Sequence, residues 1–135
     1  MTTTINAVSG TGLTQTVDGS GIVKLQSNGV ATNALAWVNF DGTTSPGTIR
    51  SSYNVSSITR SATGKYVMTF TNAMADSNYA PVCSGSYSST LLGYGVMKGR
   101  PQSTTVCNLA FSIEDVYGGE SFSNGDTLCC AVFGN

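Results

Sequence analysis

Apolar residues in this chain come in short bursts that alternate with period two, and no stretch sustains the 3.6 period of a helix. In residues 20–27, SGIVKLQS, Ile22, Lys24 and Gln26 stand opposite Val23 and Leu25. In residues 34–40, ALAWVNF, both sides are apolar: Ala34, Ala36, Val38 and Phe40 on one, Leu35 and Trp37 on the other. Such a strand needs cover on both faces, within a sandwich or between subunits. Residues 41–47, DGTTSPG, end it with turn chemistry. Alternation resumes in TIRSSYNV, with Ile49, Ser51, Tyr53 and Val55 on one face and Arg50, Ser52 and Asn54 on the other.

Residues 57–70 read as a hairpin. Ile58 enters, residues 61–64 turn, and Tyr66, Met68 and Phe70 return on one face. A loop then leads to a strand near residues 79–84. STTVCNLAFSIED and TLCCAVFGN are two more strands, VYGGESFSNGD between them reads as a loop, and SSTLLGYGVMKGRPQ is the least legible stretch. Short runs separated by turn signals predict an all-β fold, an antiparallel, jelly-roll-like β-sandwich of roughly seven to nine short strands. The first thirty residues are thin in large apolar side chains. They predict an extended N-terminal segment over 1–30, for docking or trimer contact, ahead of a sandwich domain over 31–135.

Charge changes this picture. Only 10% of the residues are charged, where a globular chain carries about 25%. Six Lys and Arg face seven Asp and Glu, and the cations, Lys24, Arg50, Arg60, Lys65, Lys98 and Arg100, form no run. Nucleic-acid binding calls for a basic stripe against phosphates, so no nucleic-acid partner is expected. Polarity comes instead from Ser, Thr and Asn, about a third of the chain, beside twelve aromatics that mark a folding sequence. A surface of hydroxyls and amides suits virion material and subunit interfaces, where charge is thinned out. No window is long enough for a membrane-spanning helix, so no membrane insertion is expected. The start, MTTTINAVSGTG, has no basic residue followed by an apolar run, as a signal peptide would.

Catalytic chemistry finds few materials. There is no histidine, and no carboxylates stand close in sequence except Glu114–Asp115, which diverge on a strand. Cys83, Cys107, Cys129 and Cys130 lack the close paired spacing of zinc ligands. Cys129 and Cys130, as strand neighbours, point to opposite faces, and all four read as reduced thiols acting as small hydrophobes. No enzyme activity, cofactor or metal is expected. What remains is binding chemistry. Candidate receptor contacts are Tyr94, Lys98, Arg100 and Tyr117, with Tyr87, in the glycine-rich segments 86–101 and 116–126.

A resemblance then enters. Residues 36–80 contain Trp-Val-Asn-Phe-Asp-Gly (37–42), Arg-x-Ser-Tyr-Asn-Val-Ser-Ser-Ile (50–58), Gly-x-Tyr-x-x-x-Phe (64–70) and Ala-Met-x-Asp-x-Asn-Tyr (73–79). In this order and spacing the block resembles tail-fibre-like structural proteins of tailed bacteriophages, particularly phages of marine bacteria and cyanobacteria. STTVC (103–107) and AVFGN (131–135) resemble the family's ending, and residues 12–29 resemble the joint between a fibre shaft and its distal domain. The likeness spans roughly residues 10–135 and carries no catalytic residue.

The resemblance implies a virion protein, assembled in the host cytoplasm, with Trp37, Val38 and Phe40 as core and interface residues. It implies a homotrimer that contacts other virion proteins and a host surface glycan or protein. The chain reaches the domain within the first 30 residues, where fibres carry a long shaft and an anchor. A short fibre or tip is therefore expected, with a capsid decoration protein as the alternative and a free carbohydrate-binding module as a third reading.

Overall fold

The computed structural model describes residues 21–27, 30–87, 95–114 and 119–134. Among them are eleven strands and no helix: β1 (Gln26–Ser27), β2 (Val30–Ala31), β3 (Ala36–Asp41), β4 (Thr48–Tyr53), β5 (Val55–Ala62), β6 (Lys65–Phe70), β7 (Ala80–Ser86), β8 (Gly95–Pro101), β9 (Val106–Glu114), β10 (Glu120–Phe122) and β11 (Thr127–Phe133). They build an all-β sandwich of two antiparallel sheets. One has the order β4-β3-β11-β7, and the other contains β5, β6, β9, β8 and β10. In the second sheet β8 pairs along one edge of β9, while β6 and then the short β10 share the other edge. β1 and β2 form a separate small hairpin.

Local chemistry explains most of the strand ends. The β5–β6 hairpin turns at Thr63–Gly64, with Ala62 opposite Lys65. Gly64 sits at φ 65, and a side chain there would run into the carbonyl oxygen of Phe111. Only glycine meets both demands cheaply. Tyr66, Met68 and Phe70 return on one buried face, as the alternation requires. β4 departs from its expected alternation. A bulge opposite Asn39 and Phe40 leaves Arg50 without a partner, so Ile49 opposes Phe40 while Ser51 opposes Asn39 and Tyr53 opposes Trp37. One extra residue moves every later side chain to the other face. Residues 20–27, read as a full strand, contribute only the two-residue β1, and VYGGESFSNGD contains the short strand β10.

Asn54 joins the sheets. It lies between β4 and β5 at φ 54, in the left-handed region that Asn tolerates. Its Nδ2 donates to the carbonyls of Leu35 and Asn72, both at 3.2 Å, and its Oδ1 accepts from the Asn72 amide at 2.8 Å. Between β4 and β5 the chain thus passes from one sheet to the other at a single braced residue.

Between the sheets lie Leu35, Ala36, Val38 and Phe40 from one side and Ile58, Tyr66, Met68, Leu109 and Phe111 from the other, closed by Leu128 and Val132. Phe40 and Tyr66 meet edge to face at 5.2 Å, as do Phe70 and Tyr79 at 5.5 Å, the geometry that ring quadrupoles favour. Ile22 is part of this core, and the Val23 amide donates to the Tyr53 hydroxyl at 2.8 Å. Residues 21–27 are therefore fastened to the sandwich, and residues 1–20 lie outside the described residues.

Two polar features are buried with the core. The Tyr79 hydroxyl donates to the Val106 carbonyl at 2.6 Å and lies 3.0 Å from the Ser103 carbonyl, tying the loop before β7 to the start of β9. Cys130 stands directly across from Cys83, with sulfurs 3.3 Å apart, and Cys107 lies in the same cluster. All four cysteines are free thiols. Cys107 and Cys83 beside it, with burial, push the Cys130 thiol up and hold it protonated. Cys129 falls on the outer face, opposite Asn39, so the adjacent cysteines do diverge.

Two outcomes follow from this core. Thiol titration in denaturant is expected to find four free groups per chain, with Cys107 and Cys130 reacting slowly in the folded protein; two or fewer groups after denaturation would contradict the cluster. Burial also pushes the Tyr79 phenol up to about 12, above the value of about 10 it has when unfolded. The folded state holds that proton more tightly, so the stabilisation is complete below about pH 10 and lost as pH rises towards 12. Tyr79→Phe is expected to cost about 1–2 kcal/mol at neutral pH and to show a shallower alkaline decline than the parent in denaturant melts at each pH.

Candidate functional site

β9 has two different faces. Cys107, Leu109 and Phe111 point into the core, while Asn108, Ala110 and Ser112 point outward. Across the five-stranded sheet the register places Lys65 and Lys98 on either side of Ala110, Val67 and Arg100 beside Asn108, and Phe122 and Val96 beside Ser112. Small side chains in the middle strand and longer ones on both flanks make a trough along β9. Its main hollow, about 340 Å³, is lined by Ser61, Lys65, Lys98, Arg100, Asn108 and Ala110. A second, about 230 Å³, continues it past Lys98 to Val96, Ser112 and Glu120. Gly99 lets β8 approach β7 from beneath, since a side chain there would meet Pro81 and Cys83 at 2.7 and 2.8 Å.

The trough has one predominant sign of charge. Lys65, Lys98 and Arg100 are three of the chain's six cations. Glu120 stands at the far end, in register with Glu114. Lys98 Nζ donates to Glu120 Oε1 at 2.6 Å, and Ser112 Oγ donates to the same oxygen at 2.6 Å. The Lys98 ammonium first, then Ser112, holds the Glu120 carboxyl below its ordinary value. Lys65 Nζ rests 4.6 Å from the centre of the Phe122 ring, a cation–π contact. Gln102 Oε1 accepts from Asn108 Nδ2 at 2.7 Å and from Arg100 Nη2 at 3.3 Å, which aims the guanidinium along the groove. With amines, a guanidinium, an amide and one carboxylate, this side-chain set suits anions and hydroxyls rather than a metal ion.

Of the candidate receptor contacts, Lys98 and Arg100 meet here. Tyr94 and Tyr117 lie outside the described residues. Tyr87, at the end of β7, is exposed. Lys65, Phe122 and Glu120 are site residues that the sequence reading missed. The period-two spacing of Val96, Lys98 and Arg100 is the signal that could have put those three on one face of a strand in a stretch that read as the least legible. Adding Lys65 required the β6–β9–β8 register, which no local pattern states.

The four-stranded sheet has an outer face of another kind. Val38 and Phe40 point into the core, whereas Trp37 points out and is 38% exposed. Register lays Tyr53, Trp37, Ala131 and Val82 in one row across all four strands, with Val82 61% exposed and the exposed Phe133 beside them. The next row, Ser51, Asn39, Cys129 and Ser84, is uncharged. Asn39 Nδ2 donates to the Cys129 sulfur at 3.3 Å, while Oδ1 is shielded without a partner. Turning the amide over would let that oxygen accept from the thiol. Arg50 and Asp41, paired at 3.3 Å, edge the face. Among the described residues, the expectation that β3 is covered on both sides is met on one side only.

Lys98→Gln is expected to raise the titration midpoint of the Glu120 carboxyl towards its ordinary value, read by NMR, with Ser112 keeping part of the depression. Melting temperature is expected to change little, because an exposed ion pair is screened by water. A Glu120 midpoint unmoved by the substitution would mean that the two groups do not meet in solution.

No family model, curated protein or solved structure matches the chain, so the trough and the apolar face stand on their own geometry.

Proposed function

We propose that the protein is a structural component of a tailed-phage virion, a trimeric fibre or fibre tip that contributes to host attachment. The observation that carries this reading is the partly exposed apolar row Tyr53–Trp37–Ala131–Val82, with Phe133, on the outer face of the four-stranded sheet. A contiguous apolar patch on a monomer marks an interaction surface. Here it adjoins a row without charge, so association strands no ion in a buried contact. The block resemblance of residues 36–80 to tail-fibre-like proteins supplies the setting. The low charge and high hydroxyl content suit a protein that works outside the cell.

The trimer brings copies of this face together, leaving the cationic trough on the opposite sheet open to a receptor. Residues 1–20 precede the fastened segment at Ile22 and supply the docking contact with another virion protein. The capsid decoration reading shares every one of these features and differs only in where on the particle the protein sits. Copy number in purified particles separates them: a set of fibres in the first case, a count matching the capsid lattice in the second.

Light scattering on the purified chain is expected to give the mass of three copies at micromolar concentration. Val82→Lys and Trp37→Ser are expected to shift it to one copy without unfolding the sandwich, since both side chains face outward. Removing residues 1–20, which spares Ile22, is expected to weaken docking to the particle more than it disturbs the fold. A single-chain mass for the parent protein would defeat the trimer.

A further inference from the structure

We infer that the trough along β9 is a binding site for an acidic saccharide, one bearing uronate carboxylates or sulfates. The inference rests on the attachment reading and names the receptor class that reading leaves open. Its starting point is a mismatch of charge. The whole chain carries a net charge of −1, yet half of its cations line one hollow, with Glu120 as the one acid among the described side chains around it. Cations gathered on one sheet face of an otherwise charge-poor chain select for an anion.

Shape adds the saccharide. From Asn108 to Ser112 the floor runs about 13 Å at strand spacing, long enough for more than one sugar ring. Ala110 at its centre leaves room for a ring to lie flat. Phe122, 48% exposed, and Val96, 53% exposed, flank Ser112 and offer apolar contact to the C–H face of a sugar. Asn108 and Glu120 offer hydrogen bonds to its hydroxyls. Lys98 gives one of its three donors to Glu120 and remains 59% exposed, with two left for an anion. Arg100 gives an Nη2 bond to Gln102 and presents the rest of its planar fork, which matches a carboxylate or sulfate.

The charge is also graded along the trough. Arg100 lies at one end beside Asn108, Lys98 and Lys65 sit at the centre beside Ala110, and Glu120 lies at the other end. A nucleic-acid backbone carries phosphates at every step and would be repelled at the acidic end. A glycan that alternates anionic and hydroxyl groups meets both ends favourably.

Calorimetric titration of the purified full chain with oligogalacturonate, dextran sulfate and neutral dextran tests the assignment. Oligogalacturonate, dextran sulfate or both are expected to bind, and neutral dextran is not; which acidic glycan binds identifies the anion. Lys65→Gln, Lys98→Gln and Arg100→Gln are each expected to weaken binding roughly tenfold, and Phe122→Ser, which changes no charge, to weaken it as well. Arg50→Gln, on the other sheet, is expected to leave it unchanged. Equal affinity for neutral dextran overturns the site. So does equally tight binding of a single-stranded oligonucleotide together with indifference to Phe122→Ser. Because this assay uses the protein alone, its failure is distinct from absence of the protein in purified particles, which would overturn the attachment reading and leave the trough standing.

Discussion

The architecture depends on one residue crossing from sheet to sheet. At Asn54 the backbone enters the left-handed region and turns β4 of the first sheet into β5 of the second. The side chain fastens that corner to Leu35 and Asn72, so the corner is held from both of its neighbours. Once β4 and β5 are committed to opposite layers, the hairpin β5–β6 has to lay Tyr66, Met68 and Phe70 onto Val38 and Phe40. The Phe40–Tyr66 ring contact sits at that meeting. A glycine here would supply the φ without the three side-chain bonds.

From that crossing the sandwich acquires two outer faces with opposite chemistry. β9 is the central strand of its sheet, and its outward side chains are small because longer ones would fill the trough between β6 and β8. β3 and β11 are central in the other sheet, and their outward side chains include Trp37 and Ala131, flanked by Tyr53 and Val82. One face gathers cations over a hollow, and the other presents apolar area around a hollow of about 330 Å³ between Trp37 and Val82. With so few ions in the chain, each placement weighs heavily. Three cations in one trough and none in the apolar row give the two faces different chemistry.

The thiol cluster fits the same division. Cys83, Cys107 and Cys130 fill core volume where two strands of one sheet lie over β9 of the other, and they behave there as compact hydrophobes. Cys129, one residue away, belongs to the outer face, because a strand sends successive side chains to opposite sides.

Much of the fold was legible from residues alone. Period-two alternation and glycine-marked turns dictate an all-β chain. The inward sets Ala36–Val38–Phe40 and Tyr66–Met68–Phe70 follow from alternation, as does the divergence of Cys129 and Cys130. Other features required the tertiary structure. The bulge at Arg50 reversed the faces of β4, because a bulge is a property of two paired strands and leaves no periodic trace in either. The exposure of Trp37 depended on which side of β3 the second sheet covers. The trough depended most of all on assembly: Lys65, Lys98 and Phe122 come from three strands far apart in sequence and become neighbours only through their register with β9. Alternation states which residues share a face of one strand, a local steric matter. Which strands lie side by side, and in what register, is decided by long-range pairing and core packing.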